Sequence, residues 1–317
     1  MMRAMLMALC GGIVSVATAQ TYPTKPVRLV IPFPAGGSND IVGRVVAAKL
    51  SDLLGKPIVV DNRAGADGII GSELVARAQP DGHTLLLISS SYAMNAAVHK
   101  LPYDPRRSFN WVAMLGNAPT ILVAFQGTPV TSVKDVVAHA RANPGKLFFG
   151  SSGVGGFNHF AGELFRSLAG IDMVHVPFKG GGAAMIGAIS GEVQLIFASS
   201  VLALPHVRSG KIKTLATGGA KRSTILPNAP TIAEGAVPGY EASNWWGMVA
   251  PESTPAAIIQ RLNSAVAEVM TLPDTQKRFA AEGAEIQTLS PADMGKLISA
   301  EMIKWARVAK EAGIRVE

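Results

Sequence analysis

Three times in this chain a short apolar run passes through a glycine-rich turn into a helix-like segment. VRLVIP (27–32) leads into FPAGGSND (33–40), LFFGS (147–151) into SGVGGFNH (152–159), and MVHVPF (173–178) into KGGGAAM (179–185). Strand, tight turn and helix in that order form half of a βαβ unit. Repeating the unit demands a parallel sheet with helices on its faces. All-helical and all-β architectures are thereby set aside.

The rest of the chain keeps the alternation. Helix-like segments at 39–54 and 68–78 separate strand-like runs at 27–32, 57–62 and 84–89. An apolar stretch at 111–125 precedes a second series. Its helices fall at about 131–142, 157–169 and 183–190, and its strands at 147–151, 173–178, 193–198 and 213–217. Residues 242–251 read as a strand again, and the tail from Pro255 is mostly helical. Two α/β series joined by two apolar crossings predict two lobes, 20–121 with 243–317 and 122–242. Each is expected to carry a mostly parallel sheet with flanking helices.

The first nineteen residues read as a signal peptide rather than as structure. Arg3 supplies a basic start, LMALCGGIVSVA an apolar stretch, and Ala17-Thr18-Ala19 a small-x-small cleavage site. The apolar stretch falls short of the roughly 20 residues a spanning helix needs. Cleavage after Ala19 predicts an exported, periplasmic chain without the lone cysteine, Cys10, so no disulfide or thiol chemistry is expected.

Glycine-rich turns before helices suit anions. Glycine lets the backbone approach a ligand closely, and the first amides of a helix lack internal partners at the positive end of its dipole. In α/β sheets ligands sit outside the carboxyl ends of strands, where these turns lie. The net charge of +7 is spread along the chain, with only Arg106-Arg107 and Lys221-Arg222 approaching clusters. It fits a general attraction for anions better than a nucleic-acid surface.

Sharper motifs fail. No Gly-Lys pair is followed by Ser or Thr, so there is no phosphate P-loop. The dinucleotide pattern that Gly153 and Gly155 begin breaks at Asn158. The esterase elbow G-x-S-x-G is approached at Gly150-Ser151-Ser152-Gly153 and broken at Val154. The histidines form no metal-ligand spacing. No metal, cofactor or catalysed reaction is predicted. The rival readings are a secreted serine hydrolase using Ser152 with a histidine, and a ligand-sensing subunit of a membrane signalling protein.

Taken together, YPTKPVRLVIPFPAGGSND, VVDNRAGADG, PDGHTLLL, LPYDP, FGSSGVGG, VPFKGGGAAM, GEVQLIFAS and LPNAPTIAEGAVPGYEASNWWG resemble, in order and spacing, one family. It is the Bug family of extracytoplasmic solute receptors, the receptor component of tripartite tricarboxylate transporters. The resemblance covers essentially the whole mature chain. It implies a two-lobed periplasmic binding-protein fold of type II that closes over a small organic acid, a dicarboxylate, tricarboxylate or aromatic acid. The acid would pass to the transporter's membrane components, the receptor acting as a monomer without nucleic acid. Five positions depart from the family pattern: Gln194 and Ala198, where relatives often carry Asp, Gly156, where they commonly carry Ser or Thr, and Ser108 and Trp111, where an acidic residue and a proline usually stand.

On this resemblance Gly36, Gly37 and Ser38 hold one carboxylate, with Asp40 orienting their loop. Ser151, Ser152, Gly155 and Gly156 hold anionic groups from the second lobe, and His159 either donates to the ligand or caps and packs. Phe178, Gly180, Gly181 and Gly182 wall the cleft, Ser90 or Ser91 touches the ligand from a strand end, and Lys179 lies solvated at the rim.

Overall fold

The computed structural model describes residues 22–314; the expected signal peptide and its cleavage site lie outside them. The first series runs β1 (Val27–Ile31), α1 (Ser38–Leu54), β2 (Ile58–Asn62), α2 (Ile69–Ala76), β3 (Thr84–Ser89) and α3 (Ser90–Val98). A long strand, β4 (Phe109–Phe125), leads to α4 (Val133–Ala142), β5 (Phe148–Ser151), α5 (Phe157–Ala169), β6 (Val174–Pro177) and α6 (Gly181–Ser190). Next come β7 (Leu195–Ser199), α7 (Ser200–Arg208), β8 (Ile212–Thr217), α8 (Ile232–Gly235) and β9 (Ser243–Pro251). The tail holds α9 (Ala256–Thr271), α10 (Pro273–Ala281), β10 (Glu285–Ile286) and α11 (Pro291–Ala312).

Strand order along the sheet is β2-β1-β3-β9-β4-β7-β5-β6, with β8 and β10 also paired to β4. The seventeen residues of β4 serve both halves. Phe109–Pro119 lie antiparallel to β9, and from Thr120 onward the partners are β7 and β8. The exchange falls at a proline, which has no N–H to give a neighbour. Beside it the Thr120 amide and hydroxyl both donate to the Ala242 carbonyl, at 3.3 and 2.8 Å. Ala242 and Gly218 return the chain at the same level, through Ala242 N–H to Gly218 O and Gly218 N–H to Thr120 O, both 2.8 Å.

The fold is α/β and two-lobed, with a more mixed sheet than the sequence pattern implies. Strands β1, β2 and β3 are parallel in one half and β5, β6 and β7 in the other. The crossing strands add antiparallel pairs to both, because one strand traversing two sheets cannot follow the direction of each. One apolar cluster continues across the halves, through Tyr92 of α3, Phe160 of α5 and Trp305 of α11. Among the described residues no helix is long and apolar enough to cross a membrane.

Candidate binding site between the halves

A cavity of about 500 Å³ lies where strands of both halves end. Five helices begin at its wall: α1 at Gly37 and Ser38, α3 at Ser89, α5 at Phe157 and Asn158, α6 at Gly180 to Ala183, and α7 at Ser199. None of the five has a side-chain cap. Of the helices that start elsewhere, α4, α8 and α11 are capped by Ser132, Thr231 and Ser290, whereas α2, α9 and α10 also lack a side-chain cap. A side-chain cap contributes about 1 kcal/mol, and the five that face the cavity go without it. Apart from Phe157 of α5, whose amide donates to Ser91 Oγ, their first amides face the cavity end with no carbonyl inside the helix to receive them, and each terminus carries roughly half a positive charge. Among the described residues Lys179 is the only lysine or arginine on this wall, and none of those lining it is acidic.

The first loop is built as the sequence predicts. Asp40 accepts from the Gly36 amide at 2.9 Å, from Arg44 Nε at 2.9 Å and from Asn62 Nδ2 at 3.0 Å. Burial alone would raise its pKa, but these donors outweigh that and hold the carboxyl below its usual range. Asp40 therefore clamps the turn, at whose tip Gly36 takes φ +80°, and is not among the residues lining the cavity. Ser38 caps nothing and makes no hydrogen bond through its hydroxyl among the described residues, so that group is free for the cavity. Asn39 was not anticipated. Trp246 Nε1, which can only donate, bonds its Oδ1 at 2.7 Å and turns its NH₂ the other way.

The second loop departs from expectation. Ser152 lines the cavity, but Ser151, Gly155, Gly156 and His159 do not. Ser151 is fully buried, its hydroxyl bonded to His175 Nε2 at 2.5 Å and to the Gly153 carbonyl at 3.0 Å. The Gly155 amide donates to His159 Nδ1 at 3.2 Å, so donor and acceptor satisfy each other instead of a ligand. Of the alternatives left open for His159 the structure shows packing and a bond to its own turn, not a helix cap, with its ring stacked on His175 at 3.9 Å between centroids. The Phe157 amide donates across the halves to Ser91 Oγ at 3.2 Å. Glycine is needed here because protein, not ligand, crowds the loop. A Cβ on Gly155, at φ +90°, would lie 2.9 Å from His99 Nε2 and 3.0 Å from Asn95 Oδ1. One on Gly156 would meet Ser152 Oγ and the Asp67 carboxyl.

Gly180, Gly181 and Gly182 line the cavity, and so does Ser91. Phe178 does not: its ring packs beside Gly150 and Gly187 and faces a neighbouring chamber. Ser90 is fully buried and donates to Asn244 Oδ1, whose residue reaches the cavity instead. Gln194 and Ala198 stay away from it. Gln194 Oε1 accepts from the Phe148 amide at 2.9 Å, and Ala198 is buried within β7. Ser199 was missed, and its buried hydroxyl has no partner among the described residues. His206 was missed too; burial, and secondarily Lys211, lower its pKa.

Serine chemistry finds no support in this geometry. Ser152, the candidate nucleophile, has Asp67 Oδ1 at 3.5 Å and no imidazole partner among the described residues. The serine that does meet a histidine, Ser151, is sealed from substrate.

The buried imidazoles give a pH prediction. Burial lowers His175 to about 4, and burial with the charges of His175 and Arg166 lowers His159 to about 3, against 6.5 in the unfolded chain. Below pH 6.5 the unfolded state takes up protons that the folded state refuses. Stability present above that pH is therefore lost as pH falls toward 4, by up to about 1.4 kcal/mol per pH unit for each histidine. Urea unfolding of wild type and His175→Gln should show the variant losing about 1–2 kcal/mol less between pH 7 and 5. Equal losses would mean that His175 takes up its proton in the fold at the same pH as in the unfolded chain.

A family profile described as the tripartite tricarboxylate transporter family receptor matches residues 42–314. Protein BugT of Bordetella pertussis is 35% identical over 310 residues, covering 97% of this chain and 95% of its own. A Rhodopseudomonas palustris protein solved with adipate superposes with a TM-score of 0.90 at 37% identity, over 93% of this chain and 99% of that one. MatC of the same organism, with bound malate, gives 0.86 at 30% identity, over 90% and 99%.

Proposed function

The chain belongs to the tripartite tricarboxylate transporter receptor family, and from that premise we propose that it is a periplasmic receptor binding a small organic carboxylate for the membrane components of such a transporter. The observation that supports the reading best is the convergence of five uncapped helix N-termini on one cavity in which none of the described lining residues is acidic. Oriented amides stabilise an anion without the desolvation cost that a buried cationic partner would add. In this reading residues 20–121 with 243–317 form one lobe and 122–242 the other. Ser38, Asn39 and the α1 amides hold the acid from the first lobe, and Ser152, Ser199 and the α6 amides from the second. The protein hands on its ligand unchanged. The adipate and malate held by the related structures make aliphatic acids the first compounds to try.

A thermal-shift screen of organic acids against sugars and amines tests the reading. Ligand at a hundredfold excess over its Kd stabilises the folded state by about 2.7 kcal/mol, so an acid should raise the melting temperature by several degrees. Stabilisation by sugars or amines alone would reject it. Ser38→Ala should weaken a responding acid about 10- to 100-fold by calorimetry, the equivalent of one charge-assisted hydrogen bond. Because Ser38 caps nothing, the melting temperature without ligand should not move. Undiminished affinity would remove Ser38 from the site.

A further inference from the structure

The space between the halves does not end at the main cavity. Beyond a waist where a Cβ on Gly180 would lie 3.1 Å from Pro34, a second chamber of about 540 Å³ opens. The two share Phe33, Pro34, Ser152, Lys179 and Gly180. Their chemistry is opposed. The first is walled by helix N-termini and hydroxyls, whereas the second is walled by Pro32, Phe33, Val154 and Phe178. Its polar groups are Asp67 and His99, besides the shared Ser152 and Lys179. Asp67 Oδ2 and His99 Nε2 are buried and have no hydrogen-bond partner among the described residues. No cation pairs with Asp67 among those residues. Its neighbours are Ser152 Oγ at 3.5 Å and Ser91.

The backbone that presents this acid is strained. Gly65, Ala66, Asp67 and Gly68 all take positive φ, with Ala66 at +46° and Asp67 at +48°. Side chains other than glycine hold such angles only where the surroundings impose them, and strain of this kind collects at functional sites. Here Asn95 Nδ2 pins the Asp67 carbonyl at 2.9 Å.

We infer that the ligand carries one anionic end, held by the helix N-termini of the first chamber, and an uncharged tail in the second, with Asp67 as the residue that turns away a second carboxylate. This rests on the carboxylate-receptor reading and narrows it. A dianion would bring its distal charge into an apolar chamber beside a buried acid, where like charges repel strongly and water cannot screen them. A methyl or ring in the same place gains from Phe33 and Phe178. Burial raises the Asp67 carboxyl well above its usual range, and the Ser91 and Ser152 hydroxyls only partly offset this, so the repulsion belongs to its ionised form and strengthens as pH rises.

Calorimetry on acid pairs that share one carboxylate and differ at the far end tests the inference: hexanoate against adipate, and 4-methylbenzoate against terephthalate. The monoanion of a binding pair should bind at least tenfold tighter. Asp67→Asn keeps the shape and suits the left-handed backbone, where Asn is among the best-tolerated residues. In it the preference should shrink to within threefold. A tighter dianion, or a preference that Asp67→Asn leaves intact, overturns the inference while leaving the receptor reading standing. Binding of none of the four, nor of any other organic acid, overturns the reading beneath it and the inference with it.

Discussion

Gly182→Leu should abolish detectable ligand binding, a loss of at least 100-fold, in a protein at least as stable as wild type. Gly182 sits in the first turn of α6 on the cavity wall, and a Cβ built there meets nothing within 4 Å. The new Cβ therefore meets no protein atom, and the side chain beyond it enters space assigned to the acid. Leucine is also a better helix former than glycine, by somewhat less than the roughly 0.8–1 kcal/mol that separates glycine from alanine. Calorimetry should thus show lost binding while thermal unfolding shows an equal or higher melting temperature. Binding unchanged in a stable Gly182→Leu protein would place the ligand elsewhere.

Gly155→Val should give a comparable loss of binding by a different route, and with a cost in stability. Valine at φ +90° is strained in its own backbone, and its side chain would press on Asn95 of α3 and on His99 just beyond that helix, from across the halves. The expected result is at least 100-fold weaker binding together with destabilisation of about 2 kcal/mol or more. Lys179→Ala, at the rim, should change affinity less than tenfold, because amides and hydroxyls make the contact. A large loss in Lys179→Ala with little effect of Gly155→Val would make the site a side-chain ion pair.

The contrast between these glycines shows what the sequence makes legible and what it hides. A strand ending in proline and glycine before a helix announces itself locally, so the loops at 33–40 and 179–182 could be assigned to the cavity without coordinates. Helices α3 and α7 could not. Each follows its strand directly at Ser89-Ser90 or Ser199-Ser200, with no glycine or proline to mark the change. Pro205 inside α7 argues against a helix until its place near the C-terminal end is known. Serine pairs at two strand ends were the available signal, and Ser199 was overlooked because only the fold shows which strand ends meet. The same holds for Gly155 and Gly156. That they need room is readable from sequence, but what fills the room comes from α3 and the 65–68 loop, some sixty to ninety residues earlier in the chain. Asp67 was invisible for that reason: nothing local distinguishes it from an ordinary turn aspartate.

The central claim is that helix N-termini of both lobes bind the ligand through a carboxylate. Its most direct test is a titration of the acid that responds best in the thermal-shift screen against its own primary amide, in the unmodified protein. The amide has nearly the same size and shape but no charge, and it turns two donors toward amides that can only donate. The account predicts that it binds at least 100-fold more weakly, a difference of about 2.7 kcal/mol. An amide that binds as tightly as the acid would contradict it.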